Sequence, residues 1–293
     1  MEFTVSAWAK INLSLDVTGV REDGYHTLDT VMHTVSLCDR LTLSLEEEPG
    51  IRLATDRDYL PVDEKNTAYR AAKLFLEATR RPDQGLTLQI EKHIPSRAGM
   101  GGGSADAAAV LRGLNEAFGR PLSGEALEAL GARIGADVPF CVRGGCCRCT
   151  GVGELLSPAP ALPDCFIVLC KPPTGVSTPR AYALLDRLPP ARTQATPRVM
   201  EALGQGDLRA IGESLSNRCE EAFRLVPVRQ IRKVLLSAGA AGARMTGSGS
   251  VVYGLFARED AARAAMARLK HQGEVFLCRP LAALPEENLH LPT

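Results

Sequence analysis

The chain predicts an α+β fold in two lobes. Three observations point there. Strict period-two alternation opens the chain, segregated strands and helices follow it, and one proline-rich stretch lacks any period. That stretch, Ser157-Pro-Ala-Pro-Ala-Leu-Pro-Asp, is the predicted boundary between domains 1–156 and 157–293. With 293 residues, one large domain or two ordinary ones are expected. No period of 20–50 residues marks a repeat protein.

Phe3, Val5, Ala7, Ala9, Ile11, Leu13, Leu15 and Val17 share one face of the first predicted strand, which is read as half-buried. The other face carries Lys10 and Asn12, neighbours on the polar side. A polar turn, Gly19 to His26, ends in the aromatic pair Tyr25 and His26. Leu28–Val35 and Leu41–Leu45 read as two strands, and Glu46–Gly50 as a turn. Residues 66–80 form an amphipathic helix started by Asn66 or Thr67, and Leu86–Ile90 an alternating strand. A helix is predicted from Ser104 to Phe118, with Ser104 as its cap, and a second from Ser123 to Ile134. Pro139 argues against helix around Asp137, which then closes a turn. Cys146, Cys147 and Cys149 sit in a short strand as small packing residues. In the second lobe strands are expected at 165–169, 251–256 and 274–278. Helices are expected at 180–187, 199–214, 228–238 and 261–269, with a loop at 189–197.

The chemistry concentrates between Ile94 and Phe118, where a glycine-packed loop runs from a strand into a helix. Free N–H groups and the positive end of the helix dipole face one spot there, which suits phosphate. The Lys-dependent P-loop form is excluded, because no lysine precedes Ser104. The dinucleotide form fails at its last glycine, where Ser104 stands. A protein-kinase loop is excluded too, since no His-Arg-Asp or Asp-Phe-Gly triplet occurs.

What remains resembles the GHMP kinase family. Pro95-Ser96-Arg97-Ala98-Gly99-Met100-Gly101-Gly102-Gly103-Ser104-Ala105 follows its phosphate loop. Ala9-Lys10-Ile-Asn12-Leu resembles its first motif, and Arg244-Met-Thr-Gly247-Ser-Gly249-Ser its last. Two further blocks, Arg21 to Leu28 and Gly135-Ala-Asp-Val-Pro-Phe, resemble a branch that phosphorylates cytidylylated methylerythritol on the non-mevalonate route to isoprenoid precursors. The resemblance implies an N-terminal nucleotide-binding domain like ribosomal protein S5 and a C-terminal α/β sandwich. It implies ATP as donor, bound by residues 95–105 with Asn66 at the adenine pocket. Asp137 would be the base or orienting carboxylate, and Lys10 its partner, stabilising developing charge. Asn12, Tyr25, His26 and Tyr182 would line the substrate site, the aromatic rings against the cytosine. Mg²⁺ is expected to arrive with ATP. Ala105 stands where relatives carry a hydroxyl, so no metal-ligating residue is named. A homoserine or mevalonate kinase is the alternative within the family, and a non-catalytic nucleotide-binding relative the alternative outside it.

Composition excludes other classes. Formal net charge is zero, so no basic field argues for nucleic acid or an anionic membrane. No apolar run approaches the ~20 residues of a membrane span. Nine cysteines without a secretory signal favour reduced thiols and a cytoplasmic setting. Oligomeric state is not legible.

Overall fold

The structure, a computed structural model, describes residues 1–176, 178–186 and 194–285, the side chains of residues 178–180 and 182 excepted. Two long strands, β1 (Glu2–Val20) and β2 (His26–Glu46), pair antiparallel along almost their whole length. The other edge of β2 is shared. Its C-terminal half pairs with β4 (Gly85–Glu91), which carries β3 (Ile51–Thr55) in parallel. Its N-terminal half pairs with β5 (Cys146–Thr150), and β5 with β6 (Leu155–Pro158). Helices α1 (Thr67–Ala78), α2 (Gly102–Ala117), α3 (Gly124–Ala132) and α4 (Val138–Arg143) complete this lobe. Ala107, Ala108, Leu111 and Leu114 of α2 are buried, as their helical spacing predicts.

The second lobe begins with β7 (Phe166–Lys171) and continues through α5 (Thr178–Leu185), α6 (Thr196–Gln205), α7 (Leu208–Ser214), α8 (Arg218–Phe223) and α9 (Val226–Ser237). It ends with β8 (Gly242–Met245), β9 (Val252–Phe256), α10 (Glu259–Leu269) and β10 (Glu274–Cys278). Its sheet runs β10-β7-β9-β8, and the short β11 (Pro280–Leu281) returns to pair with β2. Side-chain alternation joins the lobes. Ile167, Leu169, Tyr253 and Leu255 belong to the core shared with the first lobe. Val168, Cys170, Val252 and Phe256 face a second core with α9 and α10.

That arrangement corrects the reading of β1 as half-buried. From Ala9 to Leu15 both its faces are buried, because the second lobe covers the polar one. Other differences are local. The two strands expected at 28–35 and 41–45 are one strand, since Ser36 to Arg40 continue the pairing with β1. Helix α2 begins at Gly102, and its cap is Gly101 in the left-handed region (φ 71°), so Ser104 lies inside the first turn. Pro139 starts α4 instead of preventing it, because a first-turn residue needs no N–H partner. Thr196 opens α6 within the expected loop, while the helical stretch at 199–214, expected to be broken by glycines, is indeed broken at Gly206. β3, β8 and α8 carry too few residues to show a period. β6 pairs Pro158 with Cys147 within the first lobe's sheet. Cys146, Cys147 and Cys149 are buried in β5, and burial pushes all three thiols up, Cys146 to about 12.

Candidate active site

The phosphate loop leaves β4 through Pro95 and turns into α2 at Gly101. Gly99 is required by what approaches it, and Gly101 by its left-handed φ of 71°. A Cβ on Gly99 would stand 2.1 Å from the Thr246 carbonyl oxygen, so the C-terminal glycine motif lies backbone to backbone on this loop. A Cβ on Gly101 would stand 3.3 Å from the Lys10 side chain and 3.7 Å from Asp137 Oδ2. The bare backbone of Gly101 thus lets both charged groups approach the start of α2. Thr67 Oγ1 donates to the Gly103 carbonyl at 2.6 Å, and Tyr59 Oη lies 2.9 Å from Ser96 Oγ.

Lys10 and Asp137 meet, as the resemblance implies. Lys10 Nζ lies 3.3 Å from Asp137 Oδ2 and donates to Asn12 Oδ1 at 2.8 Å. The Lys10 side chain is 4% exposed and that of Asp137 32%. Two register shifts in β1, at Trp8/Lys10 and Asn12/Ser14, flank the pair of polar residues. Asn12 is committed on every side. Its Nδ2 donates to Thr30 Oγ1 at 2.9 Å, its N–H donates to Thr246 Oγ1 at 3.0 Å, and its carbonyl accepts from Tyr253 Oη at 2.9 Å. Thr246 and Tyr253 come from the second lobe; Thr246 lies within the last motif quoted above, where it had no role of its own, and Tyr253 lies in no motif.

Tyr25, on the turn between β1 and β2, lines the same cleft and is 66% exposed. His26 Nε2 lies 2.7 Å from Asp186 Oδ1, a partner from the end of α5 that no motif signalled. The Tyr182 side chain lies outside the described residues. Asn66 is chiefly a helix cap. Its Oδ1 accepts from Ala68 N at 2.9 Å and its Nδ2 donates to the Pro61 carbonyl at 2.8 Å, while the residue lines the cleft.

One cleft of about 1320 Å³ unites Lys10, Asn12, Tyr25, His26, residues 94–104, Asp137, Gly247 and Ser248. It exceeds the roughly 300–1,000 Å³ of a pocket for one small ligand. Among the described residues, no three His, Cys, Asp or Glu side chains converge to hold a metal ion. Ala105 is buried and offers no oxygen. None of the described helices is long and apolar enough to cross a membrane.

Family models match in two places, the GHMP kinases N terminal domain over residues 66–145 and the GHMP kinases C terminal domain over 199–275. The chain belongs to the GHMP kinase family and, within it, to the 4-diphosphocytidyl-2-C-methyl-D-erythritol kinases. It is 39% identical over 283 residues to the enzyme of that name from Clostridium tetani, covering 94% of this chain and 99% of the relative. It is also similar to a crystal structure of 4-(cytidine 5'-diphospho)-2C-methyl-D-erythritol kinase. That match has a TM-score of 0.78 and 37% identity and covers 96% and 99% of the two chains. A homoserine kinase from Cytophaga hutchinsonii reaches the same TM-score, 0.78, at 20% identity with 96% of each chain covered. That likeness speaks for the fold alone.

Proposed function

We infer that the cleft transfers the γ-phosphoryl of ATP to the 2-hydroxyl of 4-diphosphocytidyl-2-C-methyl-D-erythritol, a step toward isoprenoid precursors. The observation that carries this is the Lys10–Asp137 pair, 3.3 Å apart beside the first turn of α2. Phosphoryl transfer asks a protein for position and electrostatics more than for covalent chemistry. The loop 95–105 and the N-terminus of α2 hold the phosphates, with unpaired N–H groups and the helix dipole directed at them. Asp137 is the more open of the pair and accepts the hydrogen bond of the attacking hydroxyl, aligning its oxygen with the γ-phosphorus. Lys10, buried and held by Asn12, places its positive charge where negative charge gathers in the transition state. Mg²⁺ accompanies ATP, held by phosphate oxygens and water. Tyr25 and His26 face the cytidine end, and Asn66 borders the adenine end.

The supporting observation is the shared cleft. His26 meets Asp186 and Asn66 meets the Pro61 carbonyl, and both pairs line the cleft that holds Lys10 and Asp137. The test is an ADP-release assay with ATP and Mg²⁺, offering the cytidylyl substrate, homoserine or mevalonate in turn. Turnover is expected with the first alone. Turnover with homoserine or mevalonate alone overturns the substrate, and none with any of the three makes the chain a binding relative.

A further inference from the structure

Beneath the phosphate loop lies a buried charge cluster that the reaction described above does not use. Lys92, just past β4, is 5% exposed, and its Nζ donates to Asp39 Oδ2 and, at 2.6 Å, to Asp106 Oδ2. Asp39, on β2, accepts the backbone N–H groups of His93 and Ile94 at 2.6 and 2.7 Å through its other oxygen. Asp106 belongs to the second turn of α2. Its Oδ1 is enclosed and receives no hydrogen bond from the described residues. A Cβ on Gly102 would stand 3.5 Å from Lys92 Nζ, so the ammonium sits directly under the helix start. The cluster therefore grips both ends of the loop: its entry at His93–Ile94 and its exit at Gly102–Asp106.

With all three groups ionised the cluster carries one net negative charge, enclosed beside the place proposed for a triphosphate. One proton on Asp106 makes it neutral. We propose that Lys92, Asp39 and Asp106 form a positioning clamp for the phosphate loop, and that Asp106 takes up a proton from solvent when a nucleotide's phosphates bind above it. The inference rests on the nucleotide reading of the loop. Burial, with the Asp39 charge adding to it and Lys92 opposing, pushes the Asp106 carboxyl up to about 7. Lys92 stays charged, since both carboxylates outweigh its desolvation and hold it above its ordinary value. The groups facing Asp106 are few. Lys92 and Asp39 touch the cluster, Cys141 of α4 is pushed up to about 12 and stays neutral, and Lys10 and Asp137 lie across Gly101.

The sign is fixed by charge. Bound phosphates favour the protonated carboxyl, so binding takes up a proton and affinity falls as pH rises through neutrality. For one linked proton the fall cannot exceed ~10-fold per pH unit. The test is calorimetric titration of the full chain with ADP and Mg²⁺, in two buffers of different ionisation enthalpy, between pH 6.5 and 8.5. Proton changes on the nucleotide are common to wild type and variants and cancel between them. Asp106→Asn keeps an acceptor for Lys92 but cannot titrate. It is expected to bind ADP as well as wild type at pH 6.5, to lose the proton uptake, and to stay flat across the range within about twofold. Asp106→Ala loses the Lys92 bond as well, and is expected to bind ADP more weakly at every pH. Unchanged proton uptake in Asp106→Asn overturns the proposal. So does ADP affinity equal to wild type in both variants at every pH, with only the melting temperature lowered. Wild-type chain that binds no ADP overturns the nucleotide reading itself, and this inference with it.

Discussion

At the proposed reacting end of the cleft Lys10 and Asn12 are nearly inaccessible, and three residues from two lobes, Thr30, Thr246 and Tyr253, hold Asn12, which in turn accepts from Lys10. At the proposed recognition end Tyr25 is 66% exposed, and Asp186, 2.7 Å from His26 Nε2, has a side chain 55% exposed. The first region is preorganised before any ligand enters, so its groups act without reorganising. The second leaves aromatic surface in water, where a base covering it gains burial energy on arrival. On the proposed assignment, chemistry is built on strands and a helix start, and recognition on a turn and a helix end.

The contrast is broken most severely at Asp137. Replacing it by Asn keeps the shape but removes the charge proposed to accept the hydroxyl proton or its hydrogen bond. We expect Asp137→Asn to lower kcat by on the order of 100- to 10,000-fold, with ADP affinity little changed. Turnover near wild type in a steady-state assay would remove Asp137 from the reaction. A matched loss of ADP affinity would instead make it part of the nucleotide site.

Tyr25 should respond differently, because it touches nothing that reacts. Loss of base stacking costs roughly 1–3 kcal/mol, so Tyr25→Ala should raise KM for the cytidylyl substrate roughly 5- to 100-fold. KM for ATP and kcat should move far less. Equal weakening of both substrates would mean that the turn supports the whole cleft and is no recognition element.

The same division explains what the sequence disclosed. Period two in β1 and helical spacing in α2 were legible because the apolar side chains of each, Phe3 to Leu13 at alternate positions and Ala107, Ala108, Leu111 and Leu114, pack into one core. The glycine loop was legible because only glycine tolerates the approach of the Thr246 carbonyl to Gly99 and the left-handed turn at Gly101. Burial of the polar face of β1 was not legible, since it depends on Thr246 and Tyr253, some 234 and 241 positions away from Asn12. Lys92 was equally hidden. Its two carboxylate partners lie 53 and 14 positions away and carry no shared spacing. The cap of α2 was misread for a local reason: Ser104 has the right side chain, but the left-handed turn at Gly101 ends the loop three residues earlier.

The smallest effect is expected at Asp186, and it sharpens the comparison most. Its carboxylate lies 2.7 Å from His26 Nε2, yet its side chain is 55% exposed. Exposed ion pairs contribute about 0.2–1 kcal/mol, because water and salt screen the charge and ordering the side chains costs entropy. If Asp186 acts only by orienting the imidazole, Asp186→Ala should raise KM for the cytidylyl substrate by no more than about fivefold and leave kcat alone. Added salt should shrink the difference between variant and wild type. A loss of 100-fold or more would place Asp186 on the substrate itself, and the recognition end would then be as tightly built as the reacting one.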